Sequence, residues 1–412
     1  MEMKGIDNYN YEGKTVLLRV DINSPIDPKT KKIVSDNRIK KSLPVIRGLL
    51  EKKAKLVMMA HQGDTLDYEN LIPLTEHAEK LSEYLGRRIR YIDDPCGPAA
   101  QEEIRKLQQG EGILLGNLRY LTEEISTFED AVKLKPEEME RTWLVRSLLP
   151  LCDYYVNDAF SAAHRNAPSM VAFQRLLPTA AGPLMKQEIE ALDQVMHHPN
   201  PPCVFVLGGA KISDAFGMMR QVLESGKADR ILTCGITGEI MLMAEGYSLG
   251  EKKETFIRAR GLDRFIEDAA KYRKQYPDRI LYPSDLVYEK DGERICLSVK
   301  ELPVSEMFMD IGEETICRYE KEIASAGTVF VNGPAGVYEK PCFEEGTRRI
   351  WKAIASTEGY TVIGGGDTVS AAQKYIDLND INYVCTAGGA MVRYLSGMEL
   401  PLIRAMRTAK GE

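Results

Sequence analysis

Short β-branched runs, each ending in glycine, aspartate, asparagine or histidine, recur along this chain and constrain its fold more than any other feature. They are TVLLRVDI (15–22), KLVMMA (55–60), GILLGN (112–117), YYVND (154–158), CVFVLGG (203–209), RILTCG (230–235), GTVFVNG (327–333), YTVIGGG (360–366) and INYVCTAGG (381–389). Apolar runs of that length read as strands of a parallel sheet buried on both faces. Helix-like stretches such as IKKSLPVIRGLLEKKA, LTEHAEKLSEYLG and CFEEGTRRIWKAIAS lie between them. This alternation predicts an α/β protein built of doubly wound, Rossmann-like parallel sheets.

With 412 residues, the chain exceeds what one hydrophobic core supports, so two lobes are expected. The segment GPLMKQEIEALDQVM (182–196) places Leu184, Ile189, Leu192 and Met196 at helical spacing, and HHPNPP (197–202) then stops the helix. A hinge helix with its linker, 181–200, therefore divides a first lobe, 1–180, from a second, 201–394. His197 and His198, adjacent in a proline-rich connector, read as solvated and not as metal ligands.

Several function classes are excluded by bulk properties. A net charge of −7 argues against a general nucleic-acid binder, so an anionic ligand needs a local basic cluster. The eight cysteines are scattered without a C-x-x-C pair, which fits neither a zinc site nor a disulfide framework. The polar start MEMKGIDNYNYEGK lacks the apolar run of a signal peptide, and no stretch approaches ~20 apolar residues. The expectation is a cytoplasmic protein without membrane or nucleic-acid partners.

In open α/β sheets, ligands sit at the carboxyl ends of the strands. In the second half those positions carry phosphate-handling devices. Gly364, Gly365 and Gly366 lead from a strand into a helix, whose free N–H groups and positive dipole end suit a phosphate. Asp367 could hold a magnesium ion there, and Thr368 could cap the helix or bond a phosphate oxygen. LGGAK brings Gly208, Gly209 and Lys211 to the mouth of another helix, where Lys211 could neutralise a phosphoryl group in transfer. Gly235 ends a further strand. NGPAGVYEK offers Asn332, Pro334, Gly336 and Val337, with Glu339 placed to accept a ribose hydroxyl pair. Three such loops describe a nucleotide bed. No G-x-x-x-x-G-K-[ST] and no dinucleotide fingerprint occur, so neither a P-loop protein nor an NAD(P)-dependent oxidoreductase is favoured.

The first half carries different chemistry. Asp36 resembles an N-cap, which puts Arg38 in the first helical turn. A cation there opposes the helix dipole and suggests an anion partner. Asp21, Asn23, His61, Asn117, Arg119, Asn157 and Asp158 fall at strand ends, and Arg165 follows His164. Arginines beside histidines at strand ends make a fork for carboxylate or phosphate. One lobe thus reads as holding a nucleotide and the other a small anionic acceptor. Closure on a hinge would supply the positioning, charge neutralisation and water exclusion that phosphoryl transfer needs.

These residues resemble the phosphoglycerate kinase family, particularly its archaeal branch. The likeness runs in order through LLRVDINSPI, DNRI, MMAHQG, NLRY, VNDAFSAAHR, VLGGAK, NGPAGVYE, GGGDT and TAGGAM. It implies a monomeric two-lobed enzyme that moves phosphate between ATP/ADP and the carboxyl group of 3-phosphoglycerate, with Mg2+. It also implies acceptor contacts from Asp21, Asn23, Arg38, His61, Arg119 and Arg165, with Arg38 bridging the carboxyl group and the moving phosphoryl. Lys211 would accompany that phosphoryl, Glu339 would contact the ribose, and Asp367 would anchor the metal. The carboxyl-terminal segment, 395–412, is expected to pack back on the first lobe.

Departures from the pattern are expectations of their own. Asp64 stands where the family has a cation contacting the acceptor phosphate, and a carboxylate there repels phosphate at a cost on the order of 1 kcal/mol or more. Gly116 stands where Glu is common, ITGE (236–239) replaces a glycine-rich, asparagine-containing turn near the base, and Ala215 replaces a lysine of bacterial and eukaryotic members. They raise the alternative of a paralogue phosphorylating another small carboxylic acid; a catalytically silent nucleotide-binding homologue is a further alternative, from a different class.

Overall fold

A computed structural model describes residues 3–63 and 71–409; Asp64 lies outside them. The chain divides into two compact units, Met1–Ile189 with Glu399–Glu412, and Glu190–Met398. The division falls inside the helix Pro183–Met196, and not at a separate 181–200 segment.

Unit 1 contains β1 (Thr15–Val20), β2 (Lys55–Met59), β3 (Ile89–Ile92), β4 (Gly112–Leu115), β5 (Tyr154–Asp158) and β6 (Thr179–Ala181). They form one parallel sheet in the order β3-β4-β2-β1-β5-β6. The chain winds outward one way from β1 and then returns to β5 on its other side. Strand order therefore reverses between β1 and β5, where such sheets open a crevice for ligands. All of β1 after Thr15 is buried, as a central strand covered on both faces must be. Its Val16, Leu18 and Val20 share a core with Ile46 and Leu49 of the helix Asn37–Glu51. The helix Pro401–Arg407 also belongs to this unit, and the Leu402 N–H donates to the Ala163 carbonyl at 3.2 Å.

Unit 2 contains β7 (Cys203–Leu207), β8 (Arg230–Thr233), β9 (Ile280–Leu281), β10 (Asp285–Lys290), β11 (Glu293–Ser298), β12 (Asp310–Ile311), β13 (Thr328–Asn332), β14 (Tyr360–Ile363) and β15 (Tyr383–Val384). Six of these make a parallel sheet in the order β15-β14-β13-β7-β8-β9, reversing between β7 and β13. Every residue of β7 and β13 is buried. Their valines meet Ile350 and Trp351 of the helix Glu345–Ser356.

The remaining three strands form a separate antiparallel sheet, β11-β10-β12, that the strand–helix alternation did not predict. Its hairpin turns on Asp291 and Gly292, both at positive φ (53° and 83°), a two-residue connection matched to the twist of paired strands. Among the described residues, no helix is long and apolar enough to cross a membrane.

Candidate functional site

At the reversal in unit 1, Asp21 follows β1 and is nearly buried. Its Oδ2 accepts from Arg38 Nη1 at 2.8 Å and from the Ser161 hydroxyl. Arg38 lies in the first turn of the helix Asn37–Glu51, as the spacing predicts, but Asp36 does not cap it. Two side chains claim that carboxylate instead: the Tyr84 hydroxyl, and Lys40 Nζ at 2.9 Å. Asn23 Oδ1 accepts from the Gly63 N–H at 3.1 Å, fixing the loop after His61.

His61 is buried, and its Nδ1 meets Arg19 Nη2 at 2.9 Å. Arginine only donates, so Nδ1 accepts and the ring proton sits on Nε2. Burial, and after it the charges of Arg19, Arg119, Arg38 and Arg165, hold the His61 pKa well below its ordinary value. The ring is neutral at physiological pH. Asn117 braces the same loop: its side chain accepts the Gln62 N–H at 3.1 Å and the Arg119 N–H at 3.0 Å.

Arg119 donates to the Glu124 carbonyl at 2.6 Å, and Arg165 Nε to Glu129 Oε2 at 2.7 Å. The Nη2 of Arg165 is buried without a partner, a donor left for something else. Gly116 presses on a turn: a Cβ there would stand 2.9 Å from the Asp94 and Pro95 nitrogens, which explains why glutamate is absent.

Sequence reasoning passed over a buried network beneath these residues. Arg19 Nε donates to Ser169 Oγ at 3.3 Å, and Ser169 donates through N and Oγ to the Glu124 carboxylate, both at 2.6 Å. Burial lowers the Arg19 pKa and raises that of Glu124, against their mutual attraction. The available signal was Arg19 itself, a lone charge inside the apolar run of β1.

In unit 2 the loops after β7 and β13 lie against each other. The Gly208 N–H donates to the Asn332 carbonyl at 2.9 Å, and the Gly209 N–H to the Pro334 carbonyl at 2.8 Å. A Cβ on Gly208 would come within 2.3 Å of the Pro334 carbonyl oxygen, so only glycine permits this approach. The three glycines before Asp367 are not equivalent. Gly364 packs on Met391, Gly365 takes φ 99°, and a Cβ on Gly366 would meet nothing within 4 Å.

Asn332 and Thr368 prove to be ties between loops. Asn332 Nδ2 donates to the Gly364 carbonyl at 2.9 Å, and Thr368 Oγ1 accepts the Gly333 N–H at 2.8 Å. Gly365 is the N-cap of the helix Gly366–Tyr375, so Thr368 does not cap it. Lys211, at the N-cap of the helix Ile212–Glu224, reaches Asp367 Oδ2 at 3.3 Å, with side chains 66% and 71% exposed.

A cavity of about 400 Å³ opens beside these loops, lined by Gly209, Gly235, Pro334, Gly336, Val337, Glu339 and Asp367. Its size suits a small organic ligand. Gly208, Lys211, Asn332, Gly364, Gly365, Gly366 and Thr368 stand outside its wall. No group of three or more candidate metal ligands occurs among the described residues. The exposed carboxylate of Asp367 therefore fits an ion carried in by phosphates, since Mg2+ is commonly held by one or two carboxylates plus the substrate.

The phosphoglycerate kinase family model matches residues 6–398. The chain is 42% identical to the phosphoglycerate kinase of Methanothermobacter thermautotrophicus, covering 99% of this chain and 98% of that one. It is 39% identical to that of Pyrococcus horikoshii over 98% and 97%. The solved structure of the Pyrococcus horikoshii enzyme superposes with a TM-score of 0.87 at 38% identity, covering 98% of each chain. That of Coxiella burnetii gives 0.84 at 29%, covering 99% of this chain and 100% of that one. In sequence and fold alike, this chain belongs to the phosphoglycerate kinase family.

Proposed function

We infer that this chain reversibly transfers the γ-phosphoryl group of ATP to the carboxyl group of 3-phosphoglycerate. The observation that carries this reading is the family match over residues 6–398, joined by two parallel sheets whose strand-order reversals lie beside Asp21 in unit 1 and the Gly208 and Asn332 loops in unit 2. No observation favours a different acceptor or a silent homologue.

Unit 2 takes the nucleotide. Backbone N–H groups of the glycine loops and the helix beginning at Gly366 face the phosphates, and Glu339 accepts from the ribose. Lys211 travels with the phosphoryl group, its exposed ammonium free to leave Asp367. Asp367 holds Mg2+, which when bound neutralises phosphate charge.

Unit 1 takes the acceptor. Arg38 orients the attacking carboxylate, while Asp21 and Asn23 fix the arginine and the adjacent loop. Arg119 and Arg165 supply charge, and neutral His61 donates from Nε2. Asp64, outside the described residues, belongs to this acceptor group by sequence. The nucleophile is already an ionised carboxylate, so no general base is required. Its oxygen bonds to the γ-phosphorus as the bond to the ADP oxygen breaks, giving an acyl phosphate. Transfer needs both ligands brought together with water excluded. We place the enzyme in the cytoplasm as a monomer.

Purified protein should release ADP from MgATP when 3-phosphoglycerate is present, at rates typical of kinases. A panel of other small carboxylic acids should give little. Turnover of another acid in preference to 3-phosphoglycerate would defeat the acceptor assignment.

A further inference from the structure

A separate cavity of about 520 Å³ opens on unit 1 between the helices Pro98–Lys106 and Trp143–Leu148. None of Asp21, Arg38, His61, Arg119 and Arg165 lines it. Its wall carries three exposed arginines, Arg105, Arg141 and Arg146, and the indole of Trp143, which is 54% exposed. Side chains three or four residues apart share a helix face, so Gln101 and Arg105 approach from one helix, and Trp143 and Arg146 from the other. Arg141 comes from the turn before Trp143, where its backbone N–H donates to the Glu138 carbonyl at 3.2 Å.

Carboxylates stand on the same stretches of chain, but each is committed elsewhere. Glu103 takes Arg90 and Lys106, Glu102 takes Lys106, and Glu137 and Glu140 both take Arg175. Glu138 accepts from the Lys135 N–H at 2.7 Å. No acidic side chain lines the cavity, and among the described residues the guanidinium groups of Arg105, Arg141 and Arg146 have no ion pair or hydrogen bond. Like charges gathered without a counter-charge repel one another and favour capture of an anion. In a chain of net charge −7 this is a local exception. Trp143 is a second exception: the other tryptophan, Trp351, is only 1% exposed. An aromatic face left in water gains from a flat partner that covers it.

We propose that this cavity binds a nucleoside polyphosphate, its phosphates on Arg105, Arg141 and Arg146 and its base stacked on Trp143. Guanidinium is a planar fork matched to phosphate oxygens and keeps its charge at every physiological pH. Indole offers a face on which any base stacks. The two features together select the class. Inorganic polyphosphate would use the arginines and leave the indole bare, and an uncharged ring would leave the arginines unpaired. The cavity suits one small molecule in size. A nucleic-acid strand would need the basic surface to continue, against the acidic balance of the chain. The site stands apart from the transfer reaction proposed above, which uses none of these residues.

The test is a tryptophan-fluorescence titration of the full chain with ADP and with inorganic tripolyphosphate. Stacking quenches an indole, so ADP should quench the emission along a saturable curve. Tripolyphosphate should cause little quenching itself but reverse that of ADP by competition for the arginines. Trp143→Phe leaves the buried Trp351 as the emitter and should remove the response. The double variant Arg105→Gln with Arg146→Gln should raise the Kd for ADP by about tenfold or more, because each change removes a charge-assisted contact. Its residues are exposed, so its melting temperature should stay near that of wild type. The proposal is overturned by the absence of a saturable quench, by a quench of equal size in Trp143→Phe, or by an unchanged Kd in the folded arginine variant. Quenching that tripolyphosphate cannot reverse would overturn it as well. Any of these failures leaves the proposed transfer reaction standing, and that reaction's own assay is read separately.

Discussion

At the strand-order reversal of unit 1, the candidate side chains are gripped by other side chains. Asp21 holds Arg38, Glu129 holds Arg165, Arg19 holds His61, and Ser169 and Glu124 hold Arg19 from below. At the equivalent reversal of unit 2 the loops are tied through backbone and small polar groups, and the two candidate charges, Lys211 and Asp367, stand in water. Lys211 and Asp367 touch only across 3.3 Å and are mostly exposed. The same sheet plan thus supports a preorganised side-chain fork in one unit and a backbone cradle with mobile charges in the other. The difference suits the tasks proposed for them. A small acid offers few handles, so its partners must be held in place, whereas a moving phosphoryl needs a cation free to follow it.

The largest effect that would sharpen this contrast is on rate alone. Lys211→Ala should lower kcat by about 10²–10³, the range found when one donor that stabilises transition-state charge is removed. Thermal unfolding should barely move, since an exposed lysine packs little. A large fall in melting temperature would mean that the lysine is structural.

Next comes stability in unit 1. Arg19→Met takes the attracting Arg19 charge from the buried Glu124 carboxylate and the donor from His61 Nδ1, and should cost about 3 kcal/mol in denaturant unfolding. Arg38→Ala is expected to raise the KM for 3-phosphoglycerate by about tenfold or more and cost roughly 1 kcal/mol of stability, because Asp21 keeps Ser161 but loses its ion pair. If nucleotide affinity fell equally in Arg38→Ala, the assignment of separate tasks would break.

The smallest effect concerns pH. Burial, with the Glu188 charge adding to it, pushes the Asp158 carboxyl up to about 7. A carboxyl whose folded pKa lies above its unfolded value, near 3.9, binds its proton more tightly in the native state. Its stabilising contribution is complete below pH ~4 and is lost as pH rises through 7. Asp158→Asn should narrow the stability difference between pH 5 and pH 8 by on the order of 1 kcal/mol. An unchanged difference would assign the pH dependence to other groups.

What the sequence disclosed follows from what local pattern can encode. Strand and helix ends are local, so the positions of Asp21, Arg38, the glycine loops and Asp367 were legible from spacing. Pairings are not: Glu129 lies 36 residues from Arg165, and Ser169, which links Arg19 to Glu124, lies 150 and 45 residues from them, with no periodicity to connect them. Competition also misleads, since Asp36 has the residue type and position of a cap but is drawn off by Tyr84 and Lys40. Thr368 likewise looks like a cap, yet Gly365 holds that position and the Thr368 hydroxyl oxygen accepts from the Gly333 N–H. The strand β3 escaped notice because only Ile89 of its four residues is fully buried, leaving no apolar run to read. The hairpin at Asp291–Gly292 did carry a signal, the dipeptide itself, but its flanking strands are too polar to stand out.

The most direct measurement of the central claim is a ligand-by-variant matrix: KM for ATP and for 3-phosphoglycerate, together with kcat, in wild type, Lys211→Ala and Arg38→Ala. The account expects Lys211→Ala to lose kcat with the KM for 3-phosphoglycerate little changed. It expects Arg38→Ala to raise that KM while the KM for ATP holds within about twofold. Wild-type protein that fails to form ADP from ATP and 3-phosphoglycerate, or an Arg38→Ala variant whose defect falls on ATP, would contradict it.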